Sequence, residues 1–175
     1  QRDLNSMGQL EQTETLLAHT KFLLGWTEYF CGVLQPSERT ERLRRAETQF
    51  RDFLQLEPKQ AFVEAPSDWF DFGSTLQIRA IAGLSLCQQG LQRPREGSHG
   101  FELIRKHAPL SIRQLVPAWE LNGLLFVEQY ETALRFLIEL EKTRLKPSLE
   151  PSEALVWQAA LIAAVPLLLA ALGGL

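Results

Sequence analysis

Between Ala46 and Pro58 the chain reads Ala-Glu-Thr-Gln-Phe-Arg-Asp-Phe-Leu-Gln-Leu-Glu-Pro. Ala46, Phe50 and Leu54 recur every four residues, which places them on one face of a helix. A small residue at Ala46 lets a second backbone approach closely. The phenyl ring one turn later is a bulky apolar group on that same face. Pro58 has no amide hydrogen to give and is expected to stop the helix and reset the chain direction. Upstream, Leu24-Gly25, Tyr29 and Gly32 mark a companion helix with its own small-residue positions. These features predict helical hairpins that stack.

The rest of the chain reads the same way. No Asn-Gly or Asp-Gly turn occurs and alternating β-branched runs are missing, so strand signals are scarce. The periodicity predicts a first helix over 9–34, with Asn5 or Ser6 as its cap and Pro36 beyond its end. A second is expected over 37–56. A connector over 59–66 carries the apolar triplet Ala61-Phe62-Val63, and Ser67 or Asp68 caps a third helix over 69–89, closed by Gly90. Residues 92–100 read as loop because of Pro94, Gly97 and Gly100, with a fourth helix running from there to His107. Residues 112–127 and 129–145 form the next pair. The domain is expected to span 1–146, followed by a proline-containing linker at 147–152 and an apolar helix at 153–175 capped by Ser152.

Three of these pairs resemble degenerate tetratricopeptide repeats over about residues 18–146. Leu24, Gly25 and Gly32, then Ala46, Phe50, Leu54 and Pro58, stand at the landmarks of the first copy. Its inter-helix loop is about nine residues longer than the family pattern, and Lys21 stands where a Trp is usual. Ala82-Gly83, Gly90, Gly97, Phe101 and Pro109 match the second copy, and Tyr130-Glu131-Thr132-Ala133 with Leu137 and Leu140 the third. The third copy has Leu121 where Gly is expected. The resemblance implies an all-α stack of antiparallel hairpins whose first helices line a concave surface.

Carried onto this sequence, that surface offers His19, Phe22, Trp26, Tyr29 and Phe30 from the first pair. Gln77, Ala80, Leu84 and Gln88 come from the second, and Leu115, Ala118, Asn122 and Phe126 from the third. A subfamily grips carboxylate termini with Lys, Arg and Asn at these places. Here Phe22, Trp26, Ala80 and Leu84 occupy them and only Asn122 fits, so that clamp is not expected. What remains is an aromatic groove over Phe22, Trp26, Tyr29, Phe30, Leu84, Asn122 and Phe126. It suits an amphipathic helix or peptide. The competing reading makes the same stripe core.

Composition excludes more than it assigns. Net charge is −3 and no long Lys/Arg run is present, which argues against a nucleic-acid partner. The basic stretch 39–51 is interrupted by Glu41 and Glu47 and reads as a solvated helix face. His19, His99 and His107 lack metal-ligand spacing. Asp68 and Asp71 suit a helix start, and no phosphate-binding loop or nucleophile elbow occurs. An enzyme and a cofactor are therefore not expected. Cys31 and Cys87 sit in apolar helical patterns and read as free thiols, with a disulfide between them as the alternative.

The C-terminal stretch Val156–Leu175 holds no charge and one polar side chain, Gln158. Twenty helical residues span about 30 Å, the thickness of a bilayer core. Trp157 sits at an interfacial position, and Leu161, Pro166, Leu169 and Leu172 lie within the span. Lys142, Arg144 and Lys146 upstream would hold the domain on the cytoplasmic side. No signal peptide is visible at Gln1. The expectation is a protein-binding scaffold tethered to a membrane. The alternatives are a structural subunit buried in a larger complex and a soluble cytoplasmic repeat domain with a capping helix.

Overall fold

The computed structural model describes residues 2–57, 75–113 and 115–144, with side chains, within these ranges, from Gln12 to Glu139 and at Lys142. The chain is all-α. Among the described residues there are seven α-helices and no strand: α1 (Arg2–Leu34), α2 (Arg39–Phe53), α3 (Thr75–Gly90), α4 (Pro94–His107), α5 (Leu110–Arg113), α6 (Val116–Phe126) and α7 (Tyr130–Arg144). The connector 59–66, residues 69–74 of the expected third helix, the linker 147–152, the apolar helix 153–175 and the proposed Ser67, Asp68 and Ser152 caps lie outside the described residues. Among those described, no helix is long and apolar enough to cross a membrane.

Several helix ends differ from expectation. α1 begins at Arg2, so Asn5 and Ser6 are inside it rather than capping it. Only Gln35 and a single 3₁₀ turn, Pro36–Glu38, separate α1 from α2. The nine extra residues of the first pair are therefore helix, not loop. α4 starts at Pro94, whose fixed φ suits a first helical turn, and Gly97 and Gly100 lie buried within it.

Proline is not what ends α2. The helix closes at Phe53, five residues before Pro58, with Gln55 in the left-handed region at φ 54°. Leu56 N–H donates to Arg51 O and Gln55 N–H to Asp52 O, at 2.9 and 3.3 Å. This pair of bonds, six-to-one and five-to-two, is the Schellman closure. The same closure recurs after α3, with Gln92 at φ 64°, and after α6, with Glu128 at φ 62°. The left-handed position thus falls at Gln92 after α3, not at Gly90, which is its last helical residue.

Packing centres on α3. It touches α1, α2, α4 and α6; α1 packs on α2, and α6 on α7. Ile78 and Ala80 through Gln88 are all buried, because α3 has a neighbour on every side. The tightest point is Phe50, which is fully buried between α1 and α3. A Cβ on Gly25 would lie 2.8 Å from the Phe50 ring, and one on Gly83 would lie 2.4 Å from it. Neither position has room for alanine without a shift. Trp26 completes the site edge-on, its ring centroid 5.4 Å from that of Phe50.

Charge seals the edge of this core. Glu47 on α2, largely buried, pairs with Arg51 on its own helix and with Arg93 at the α3–α4 turn. Arg93 also reaches Glu96 at 3.2 Å. A second, smaller apolar cluster, Leu121, Leu125, Ala133 and Leu137, joins α6 to α7. Cys31 and Cys87 are both free. Burial pushes the Cys87 thiol well up, and the neighbouring Glu47 carboxylate adds to it.

Candidate binding cleft between α1 and α6

The stretch of α1 that packs on α2 through Gly25 and Gly32 also faces α6, and the aromatics on that side do not all find cover. Trp26, Tyr29, Phe30 and Val33 of α1 face Trp119, Asn122, Leu125 and Phe126 of α6 across a cleft of about 450 Å³. Leu86 of α3 lies at its base, and Arg39, Glu128 and Tyr130 rim it. The volume falls inside the range of about 300–1,000 Å³ typical of ligand-sized clefts.

The rings are mutually braced. Trp26 stacks on Phe30 at 5.7 Å between centroids, and Tyr29 meets Phe126 at 5.9 Å. Tyr29 is buried, and burial raises its phenol well above the usual value, with Cys87 adding to the rise. It therefore stays neutral at the bottom of the cleft. The Arg39 guanidinium lies over the Phe126 face, 4.6 Å from the centroid, a favourable cation–π placement. Its nearest carboxylate is Glu128, at a long 4.0 Å. The buried Nε of Arg39 has no hydrogen-bond acceptor. An unsatisfied buried donor costs about 1–3 kcal/mol; the Arg39 side chain is still 30% exposed, so an occupant's acceptor can meet the guanidinium at its accessible nitrogens.

The sequence-derived groove divides here. Trp26, Tyr29, Phe30, Asn122 and Phe126 converge on the cleft. Phe22 and Leu84 do not. Phe22 is buried against Phe53, 5.5 Å between ring centroids, and Leu84 is fully buried in the α3 core. Those two are corrected to core positions. α3 presents Leu86 instead. Trp119 was missed, because the repeat register put Ala118 on the lining face. Trp119, Asn122 and Phe126 stand three and four residues apart, a helical-face spacing that could have found it.

The membrane-segment residues Val156, Trp157, Leu161, Pro166, Leu169 and Leu172 lie outside the described residues. Among the described residues, no three His, Cys, Asp or Glu side chains converge as metal ligands. No protein family, curated protein or solved structure matches this chain.

Proposed function

We propose that the chain is a non-enzymatic helical scaffold of the tetratricopeptide kind that holds a protein partner in the α1–α6 cleft. The packing order supports the repeat reading: α1 on α2, α2 on α3, α3 on α4 and α6, α6 on α7. Each pair rests on the next, and Phe50 sits between Gly25 of one pair and Gly83 of another. The observation that carries the binding reading is the cleft itself, aromatic on both walls with the Arg39 guanidinium at its rim.

The occupant that fits is a short amphipathic helix. It would place one or two bulky apolar side chains between Trp26 and Trp119 and a carboxylate or carbonyl oxygen against Arg39. The uncharged stretch Val156–Leu175 supports a membrane tether for the domain.

The test is selection of helical peptides from a displayed library on the full-length protein. Enriched peptides should carry large apolar residues at helical spacing with an acidic residue beside them. Their binding should be lost in Trp119→Ala and weakened in Arg39→Gln. Peptides that bind Trp119→Ala as well as the wild type would overturn the assignment. Separately, removing residues 155–175 should release the protein from vesicles; a full-length chain that never partitions to them would remove the tether.

A further inference from the structure

The face of α1 beside the cleft carries a second apolar surface, which meets the cleft at Phe30. Leu16, Leu23 and Phe30 stand seven residues apart and are exposed, Leu16 to 66% and Leu23 to 62%. Thr20, Thr27 and Leu34 form the alternate row, again seven apart, with Leu34 79% exposed. The spacing is four, three, four, three, four, that of a coiled-coil seam. Leu17 and Leu24, also exposed, widen it on one side.

The two threonines make this stripe more apolar than its sequence suggests. Thr20 Oγ1 donates to Leu16 O at 2.8 Å, and Thr27 Oγ1 to Leu23 O at 2.9 Å. Both hydroxyls are thus turned into the helix's own carbonyls, leaving methyl groups outward. No charged residue lies on the stripe from Leu16 to Leu34.

We infer that this stripe pairs two copies of the chain through a parallel two-stranded contact between their α1 helices. β-branched residues at one seam position with leucine at the other favour two strands over three or four. Thr20 and Thr27 with Leu16 and Leu23 supply that combination. The six exposed side chains offer on the order of 600 Å² per copy, so a symmetric pair reaches the ~1,200 Å² low end of stable interfaces. A charge-free seam puts no repulsion between identical faces. A lipid surface fits less well. A helix lying on a membrane carries Lys and Arg beside its apolar face, whereas residues 12–34 hold one cation, Lys21, which faces Asp52 at 3.8 Å.

Sedimentation of the full-length protein in density-matched nonionic detergent tests this. The wild type should be a dimer at micromolar concentration. Leu16→Glu with Leu23→Glu should weaken association by roughly tenfold or more while leaving the far-ultraviolet helical signal unchanged, since both side chains are exposed. Leu23→Cys, in a Cys31→Ser background, should form a disulfide-linked dimer, because parallel seam positions face their own copies. Trp119→Ala should leave the dimer intact, which separates this contact from the cleft. A monomeric wild type, a dimer indifferent to the two glutamates, or a Leu23→Cys chain that never cross-links would each overturn the inference. So would loss of vesicle binding in the Leu16→Glu, Leu23→Glu variant with no change in association.

Discussion

The Phe50 crossing and the α1–α6 cleft draw on the same helix and the same kind of side chain, yet they do opposite things. At Phe50, Gly25 and Gly83 remove every side-chain atom that would hold the helices apart, and the ring is sealed. Over the next eight residues of α1 the chain offers Trp26, Tyr29, Phe30 and Val33, and facing α6 offers Trp119 and Phe126. Large rings on both walls cannot close on each other as glycines close on a phenyl group. Here an aromatic opposite glycine makes core, and aromatics opposite aromatics leave a cleft.

The largest effect should come from the sealed side. Phe50→Ala should cost about 3–5 kcal/mol in denaturant unfolding, since the ring has no exposed surface. An equal loss from Trp119→Ala would erase the distinction between crossing and cleft. Gly83→Ala sharpens it. The new methyl would meet the Phe50 ring, so destabilisation of about 1–3 kcal/mol is expected despite alanine's better helix propensity. Phe50→Leu should recover part of that loss, and a double-mutant cycle reads the coupling. If the two changes add, Gly83 and Phe50 are not in the contact described.

Smaller effects should mark the helix ends and the cleft's outer wall. Gln92→Gly removes the left-handed strain at φ 64°. It should raise stability by several tenths to about 1 kcal/mol, seen as a higher denaturant midpoint. At Glu120 on α6, burial raises the carboxyl above its usual value against the opposing pull of its ion-pair partner Arg105. Its contribution is therefore fully present below the unfolded-state value and is lost as pH rises through the folded one. Glu120→Gln should flatten that portion of the stability profile across the mildly acidic range. A profile unchanged by the substitution would contradict the assigned direction.

Much of this architecture could be read in the sequence, and the failures have physical reasons. The Gly25, Gly32 and Phe50 landmarks locate close approaches because helix crossings demand small residues next to large ones. Helix ends were less legible. Pro58 looked like the stop for α2, but a Schellman closure at Gln55 ends it first, and glutamine gives no warning of a left-handed backbone. Pro94 read as loop when its fixed φ was starting α4. Leu84 looked like lining because repeat register assigns one face of α3 to the groove, whereas a helix surrounded on all sides has no free face. Leu16 and Leu23 show the converse limit, being exposed on a helix that also packs on its neighbours. α1 is apolar on two faces, and sequence alone does not tell which one the neighbours take.

The account turns on the cleft being a binding surface and not an imperfect piece of core. The direct measurement is to take one selected peptide and the Trp119→Ala, Phe126→Ala pair, and to record peptide affinity and unfolding free energy on the same samples. The predicted result is loss of peptide binding with clearly less destabilisation than Phe50→Ala produces. Unfolding as severe as that of Phe50→Ala, or peptide affinity unchanged in a folded variant, would contradict it.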